Sequence, residues 1–189
     1  RMDGWIEYEG AMNSALPKLD QKLVGKTRST DPLLIFFTSG TEAYPKMVLH
    51  SHGYPLAHIV TAKFVDDLHS TDLHLAVADT GWAKTAFGKL FGQWICGAAV
   101  LQRNPVGGFN PKITLSVIER FGVTTFCASP GVYRMLIQED LRSFELGSLR
   151  FSLSAGEPLT PEIIKAWREG TGLDIYEFYG QSETVALLS

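Results

Sequence analysis

The stretch Leu33-Leu34-Ile35-Phe36-Phe37-Thr38-Ser39-Gly40-Thr41-Glu42-Ala43-Tyr44-Pro45-Lys46 is where the character of the chain changes. Its first five residues form a continuous apolar run between Pro32 and Thr38-Ser39-Gly40, and they read as a short strand buried on both faces. The turn after it gathers the hydroxyls of Thr38, Ser39 and Thr41 with Gly40 and Lys46. Hydroxyls and backbone N–H groups in a tight loop can cradle phosphate oxygens, glycine permits close backbone approach, and a lysine supplies a mobile positive charge. The same residues also suit a loop that only turns the chain. A Walker-type loop is excluded, because Pro45 precedes the lysine where glycine belongs and Met47 follows where Ser or Thr is required.

Working outward, similar apolar runs recur at Leu73 to Ala78, Ala98 to Leu101, Thr124 to Cys127, Phe151 to Leu153 and Leu173 to Tyr176. Helical patterning separates most of them, at Leu56 to Asp67, Pro111 to Phe121, Gly131 to Glu139 and Pro161 to Glu169. Strands alternating with helices predict an α/β fold with a largely parallel sheet and flanking helices. Ligands in such folds gather where loops leave the carboxyl ends of strands. Residues 1–30 are polar and mixed and read as an irregular approach segment; residues 31–189 form the folded part.

Composition sets the outer limits. The chain has 189 residues, 45% hydrophobic and 20% charged, as expected of one globular domain with a core. Its 17 basic and 20 acidic residues give a net charge of −3 without long runs of one sign, so a surface built for nucleic acid is not expected. No apolar run reaches membrane-spanning length and no leader pattern is visible, which predicts a cytoplasmic chain. Cys96 and Cys127 lie far apart in apolar contexts and read as buried free thiols. The chain begins at Arg1 and stops at Ser189 directly after a motif-like segment, so it is expected to be part of something longer.

Two further segments carry chemistry. Ser154-Ala155-Gly156-Glu157-Pro158 follows the strand at Phe151, and Tyr179-Gly180-Gln181-Ser182-Glu183-Thr184 follows the strand at Leu173. Both set small and polar residues past a strand end, where a planar ring can lie between backbone and an aromatic face. Tyr179 also fits a core aromatic, and Glu183 a solvated acid. Asp79-Thr80-Gly81-Trp82 follows the strand at Leu73, and Trp82 suits either a substrate wall or core packing.

Taken together, FFTSGTEAYPKM, GEP and YGQSET resemble, in order, the signatures of the adenylate-forming superfamily, nearest its acetyl- and medium-chain acyl-CoA synthetases. The resemblance implies a partial AMP-binding domain of the large N-terminal type. Its activity would be activation of a fatty carboxylate by ATP with Mg²⁺ to an acyl-adenylate, then transfer to coenzyme A. It further implies that Thr38, Ser39, Gly40, Thr41 and Lys46 hold the leaving pyrophosphate, and that Gly156, Glu157 and Pro158 lie against adenine with Tyr179 stacked on it. Gly180, Gln181 and Ser182 belong to the same nucleotide-binding segment. Thr184 would contact phosphate and Glu183 would help hold Mg²⁺, with Lys46, Thr184 and Glu183 as the catalytic set. Gly81, Trp82 and Gly180 would line the acid; acetate-specific relatives carry tryptophan at the position of Gly180, so glycine implies a chain longer than acetyl.

Glu42 and Ala43 depart from the family pattern, which has Ser or Thr and then glycine. A carboxylate beside triphosphate is unfavourable, and alanine would cost roughly 0.5–1 kcal/mol if a positive φ is needed there. Weakened ATP binding is the expectation, and a non-catalytic nucleotide-binding or interaction module on the same scaffold is the alternative function. Family members continue to a ribose-binding aspartate, an arginine and a small mobile C-terminal domain whose lysine drives adenylation. None has a counterpart in this sequence, which implies an inactive chain in isolation, with apolar surface exposed and a tendency to form homodimers.

Other polar groupings carry less. His50 and His52, with His58 nearby, lack a cysteine or close carboxylate to complete a metal set, so backbone or solvent hydrogen bonds are expected. Asp66, Asp67, His69, Asp72 and His74 read as a polar helix end and loop. No GxSxG is present, which gives a serine hydrolase no support.

Overall fold

The computed structural model describes residues 7–14, 25–38, 44–78, 82–103 and 107–189. A short helix α1 (Tyr8–Ser14) lies within the segment expected to be irregular, and none of its residues is buried. Next comes a two-stranded antiparallel sheet of β1 (Pro32–Thr38) and β2 (Lys46–Ser51). The apolar run is therefore a strand, but it is not buried on both faces. Its one partner strand leaves Ile35, Phe37, Met47 and Leu49 exposed.

The main sheet has six strands in the order β4-β3-β5-β6-β7-β8, from β3 (Leu73–Ala76), β4 (Ala99–Val100), β5 (Thr125–Ala128), β6 (Phe151–Ala155), β7 (Ile175–Gln181) and β8 (Val185–Leu188). All its pairings are parallel except the last, where β8 returns antiparallel to β7. Strand β5, with neighbours on both sides, is buried at every residue, as a central parallel strand covered on both faces must be.

Alternation along the strands feeds two cores. Leu75, Phe126, Ala128 and Ile175 pack with Leu115 and Ile118 of α5 (Pro111–Phe121), Tyr133 and Leu136 of α6 (Pro130–Leu136), and Ile163 and Trp167 of α7 (Pro161–Thr171). Trp167 is fully buried and its indole N–H donates to Ser152 Oγ at 3.2 Å, so a polar atom in the core is satisfied. Ala76, Cys127, Leu153, Ala155 and Phe178 belong to a second cluster.

The other α-helices among the described residues are α2 (Tyr54–Phe64), α3 (Ala83–Lys89) and α4 (Phe91–Cys96). The sequence pattern missed α3 and α4, because Gly88 and Gly92 interrupt them. Gly92 is there for packing: a Cβ would sit 2.7 Å from that of Ala62 in α2. Cys127 is buried, whereas Cys96 is only half-buried, contrary to expectation. No helix among the described residues is long and apolar enough to cross a membrane.

Asp66, Asp67, His69 and Asp72 lie in the loop after α2, as expected, and from there Asp67, His69 and Asp72 surround Arg150 where β3 and β6 begin. Arg150 Nε and Nη2 donate to the two oxygens of Asp72 at 2.8 and 2.5 Å, and Nη1 donates to Asp67 at 2.7 Å. His74 lies inside β3, fully buried, with Nε2–H donating to the Gly88 carbonyl at 3.0 Å and Nδ1 accepting from Thr125 Oγ1 at 2.8 Å. Burial holds its imidazole down at about 4.

Candidate functional site

A cleft of about 250 Å³ opens where the chain leaves the carboxyl ends of the parallel strands. Trp82 through Lys84 come from the start of α3, Ser129 from the end of β5, Ala155 through Glu157 from the end of β6, and Phe178 and Gly180 through Ser182 from β7 and the turn after it. The fold thus brings together Trp82, Gly156, Glu157, Gly180, Gln181 and Ser182, which lie up to a hundred positions apart in sequence. Trp82 is 57% exposed, so it serves no core.

Each segment is held for a local reason. Gly156 has φ 104, a region that side chains rarely adopt, and a Cβ there would meet nothing; the glycine serves the turn rather than clearance. Beyond it, the Leu159 N–H donates to Glu177 Oε1 at 3.0 Å, anchoring the loop to β7. Tyr179, Gly180 and Gln181 lie within β7 rather than past its end, because β8 pairs back onto them. Tyr179 is 53% exposed, its hydroxyl accepting from Gln181 Nε2 at 3.0 Å, so it is not a core aromatic. The Thr184 N–H donates to the Gln181 carbonyl at 3.1 Å and closes the turn, on which Glu183 and Thr184 are exposed.

Gly180 has a steric reason independent of any ligand. A Cβ would lie 1.9 Å from the Val185 carbonyl oxygen, which β7–β8 pairing brings over it.

The loop after Phe37 is a hairpin connection, not a turn at the end of a parallel strand. Thr38 and Lys46 face each other across the β1–β2 ladder, so both ends of the loop are registered. Ser39, Gly40 and Thr41, with Glu42 and Ala43, lie outside the described residues, as does Gly81 with Asp79 and Thr80. Thr38, Lys46, Pro158, Tyr179, Glu183 and Thr184 do not line the cleft itself.

His50 on β2 makes the kind of backbone hydrogen bond expected of it, donating through Nε2–H to the Ser182 carbonyl at 2.7 Å. Sequence reasoning missed two polar residues of the cleft wall, Ser129 and Lys84. Ser129 caps α6 by position but makes no capping hydrogen bond through its side chain. Lys84 is 8% exposed, and its ammonium donates to the Ala155 carbonyl at 3.4 Å. The only signal for Lys84 was its place two residues after Trp82. Burial pushes the Asp66 carboxyl up to about 7, with Lys84 pulling it back; burial also raises the Cys127 thiol, again opposed by Lys84. Among the described residues, no group of three His, Cys, Asp or Glu side chains converges as a metal site would require.

Residues 2–189 match the family described as AMP-binding enzyme. The mitochondrial acyl-coenzyme A synthetase ACSM3 of Homo sapiens is 42% identical over 186 residues, covering 98% of this chain and 31% of the relative. 4-Hydroxybutyrate–CoA ligase 1 of Metallosphaera sedula is 39% identical over 189 residues, 100% of this chain and 32% of the relative. Among solved structures, an acyl-CoA synthetase of Brucella canis superposes with a TM-score of 0.83 at 31% identity, covering 96% of this chain and 32% of that one. The anthranilate CoA ligase AuaEII in complex with anthranoyl-AMP gives a TM-score of 0.82 at 28% identity, covering 97% of this chain and 35% of that one. The chain therefore spans about a third of the length of the relatives it matches.

Proposed function

The chain belongs to the AMP-binding enzyme family, and on that premise we propose that its residues form the nucleotide- and acid-binding part of an enzyme that activates a carboxylic acid with ATP and passes the acyl group to coenzyme A. The observation that carries this reading is the cleft itself, where the Trp82, Gly156-Glu157 and Gly180-Gln181-Ser182 segments meet. Support also comes from His50, which ties the strand bearing Lys46 to the turn bearing Glu183 and Thr184.

In this proposal Gly156, Glu157 and Pro158 lie against the adenine, and the exposed ring of Tyr179 stacks on it. Lys46 and Thr38, set opposite each other, hold the departing pyrophosphate together with Ser39, Gly40 and Thr41, while Thr184 donates to the α-phosphate. Their contribution is positioning and charge stabilisation, not covalent chemistry. Trp82 and Gly180, with Gly81, flank the acid. Glu183 fits Mg²⁺ as a single exposed carboxylate, which suits an ion drawing its other ligands from phosphate and water. When bound, Mg²⁺ would neutralise charge on the phosphates.

Calorimetric titration with Mg-ATP and with AMP, on the unaltered chain and on Lys46→Ala and Tyr179→Ala, tests the proposal. Weaker binding in both variants is expected; binding that neither change affects would overturn it. These 189 residues alone are expected not to form a thioester, and thioester formation by this chain would refute that part. A second reading, a nucleotide-binding module without catalysis, is favoured by Glu42 and Ala43. Glu42→Thr with Ala43→Gly should tighten ATP binding if these two residues weaken it, and unchanged ATP affinity would remove the ground for this second reading.

A further inference from the structure

Helix α3 starts at the cleft, with Trp82 at its N-cap, and ends at Lys89, which does not line the cleft. Among its described side chains the buried residues are Lys84, Ala86, Gly88 and Lys89. None is a large apolar group whose packing would fix the helix against the sheet. The fastening is polar instead. At the far end the His74 Nε2–H donates to the Gly88 carbonyl at 3.0 Å, and the Lys89 ammonium donates to the Ala78 carbonyl at 2.8 Å. Ala78 is a fixed point, since the Val77 N–H before it donates to the Cys127 carbonyl of β5 at 2.9 Å. At the near end Lys84 reaches the Ala155 carbonyl at 3.4 Å and the Cys127 thiol. The half-exposed Trp82 moves with this helix, because its carbonyl accepts from the Thr85 N–H at 2.9 Å. Seven residues of helix are about 10 Å long, so a tilt of about 10° at the far end displaces Trp82 by roughly 2 Å.

We infer that Lys89 is a positioning residue for acid binding: by fastening α3 to the chain leaving β3 it sets where Trp82 stands, and hence how tightly the acyl group is held, while touching neither acid nor nucleotide. The inference rests on the reading of Trp82 as a wall of the acid site given above. A lysine suits this task, because a largely buried ammonium bonds a backbone carbonyl with charge-assisted strength. The Gly156-Glu157 and Gly180-Gln181-Ser182 segments belong to or follow β6 and β7, not α3. Loss of the Lys89 bond should therefore disturb the acyl half of the site and spare the nucleotide half.

Calorimetric titration of this chain with AMP and with a non-hydrolysable hexanoyl-adenylate analogue, an acyl sulfamate of adenosine, tests the inference. The ratio of the two affinities isolates the acyl group. In the unaltered chain the analogue is expected to bind more tightly than AMP. Lys89→Met should lower that ratio about tenfold, as loss of one charge-assisted hydrogen bond allows, with AMP affinity changed by no more than about twofold. Lys89→Gln, a neutral donor, should lower the ratio about threefold, and Lys89→Arg, which can still donate to Ala78, should restore most of it. A lysine that only stabilised the fold would lower the urea midpoint of Lys89→Met without moving the ratio, or would weaken AMP and the analogue equally, and either result would overturn the inference. If Lys89→Met shows no cooperative transition, Lys89→Gln carries the test, and a ratio equal to that of the unaltered chain overturns it. An unaltered chain that binds AMP as tightly as the analogue would overturn the inference and leave the nucleotide site standing. Absence of binding by both ligands would overturn the proposed function as well.

Discussion

His50 Nε2–H donates to the carbonyl oxygen of Ser182 at 2.7 Å, across 132 positions of sequence. This bond joins the two-stranded β1–β2 sheet to the turn between β7 and β8. It is oriented by packing, since the His50 ring lies 4.0 Å from that of Tyr54 and 5.7 Å from that of Phe36. His50→Phe keeps an aromatic ring and removes the bond. It is expected to lower stability by about 1 kcal/mol and to weaken AMP binding, because the Lys46 strand and the Thr184 turn lose their registration. His50→Gln, which can still donate, should recover part of both; equal AMP affinity in all three forms would count against this coupling.

Gly180→Ala should destabilise the chain whatever its substrate. The added Cβ meets the Val185 carbonyl oxygen, a backbone atom that cannot rotate away, so β8 has to shift. A loss of about 1–3 kcal/mol in chemical denaturation is expected, typical of overpacking. A variant as stable as the original would mean that β8 repositions freely. Any change in acid preference at this position should therefore be scored against stability first.

Arg150→Met should be more damaging than its half-exposed position suggests. Burial pushes the Asp72 carboxyl up, but hydrogen bonds from Arg150, the His69 N–H and Thr124 outweigh it and hold the group at about 2. Removing the guanidinium leaves Asp72 buried without its counter-charge, at a cost of about 3 kcal/mol. Asp72→Asn with Arg150→Met should recover part of the loss, as read from urea midpoints.

Acid should destabilise the fold over a defined window. Burial, with some help from His50, lowers His58 to about 4, and burial lowers His74 to about 4, against 6.5 for the free side chain. The unfolded chain therefore binds more protons at these two sites between pH 4 and 6.5, so their contribution to stability is lost as pH falls through that range. Asp66, raised by burial from 3.8 to about 7, acts in the opposite direction. Two histidines against one carboxylate leave one net proton, or about 1.4 kcal/mol per pH unit near the middle of the window. His74→Gln should flatten the dependence measured by denaturation at pH 4.5, 5.5 and 6.5. Below 3.8, protonation of Asp72 should remove more stability as pH falls through about 2.

The ends of α5 were the most legible feature, whereas α2 starts two residues before and ends three before its expected bounds, and α6 ends three residues early. Helix α5 spans the residues its pattern predicts because Asn110 caps it, its Oδ1 accepting from the Ile113 N–H at 3.0 Å, Pro111 starts it, and Gly122 ends it at φ 64. Proline likewise places the start of α7 at Pro161. Illegible were α3 and α4, whose glycines look like breakers until Ala62 is seen against Gly92. Also hidden was the status of β1: an apolar run of that length is equally consistent with a central strand and with a hairpin strand whose outer face is open.

The sequence by itself determined the α/β class, the alternation of the parallel strands with α2, α5, α6 and α7, and the three short segments that resemble the family's signatures. These depend on local propensity and on residue types at fixed spacing, which are written along the chain. Only the tertiary structure decided that Lys84 and Ser129 line one cleft, that Arg150 gathers Asp67, His69 and Asp72, and that Gly180 lies under the Val185 carbonyl. Those facts depend on which distant atoms come within a few ångströms of one another, and no local pattern encodes a contact between residues that meet only when the sheet is assembled.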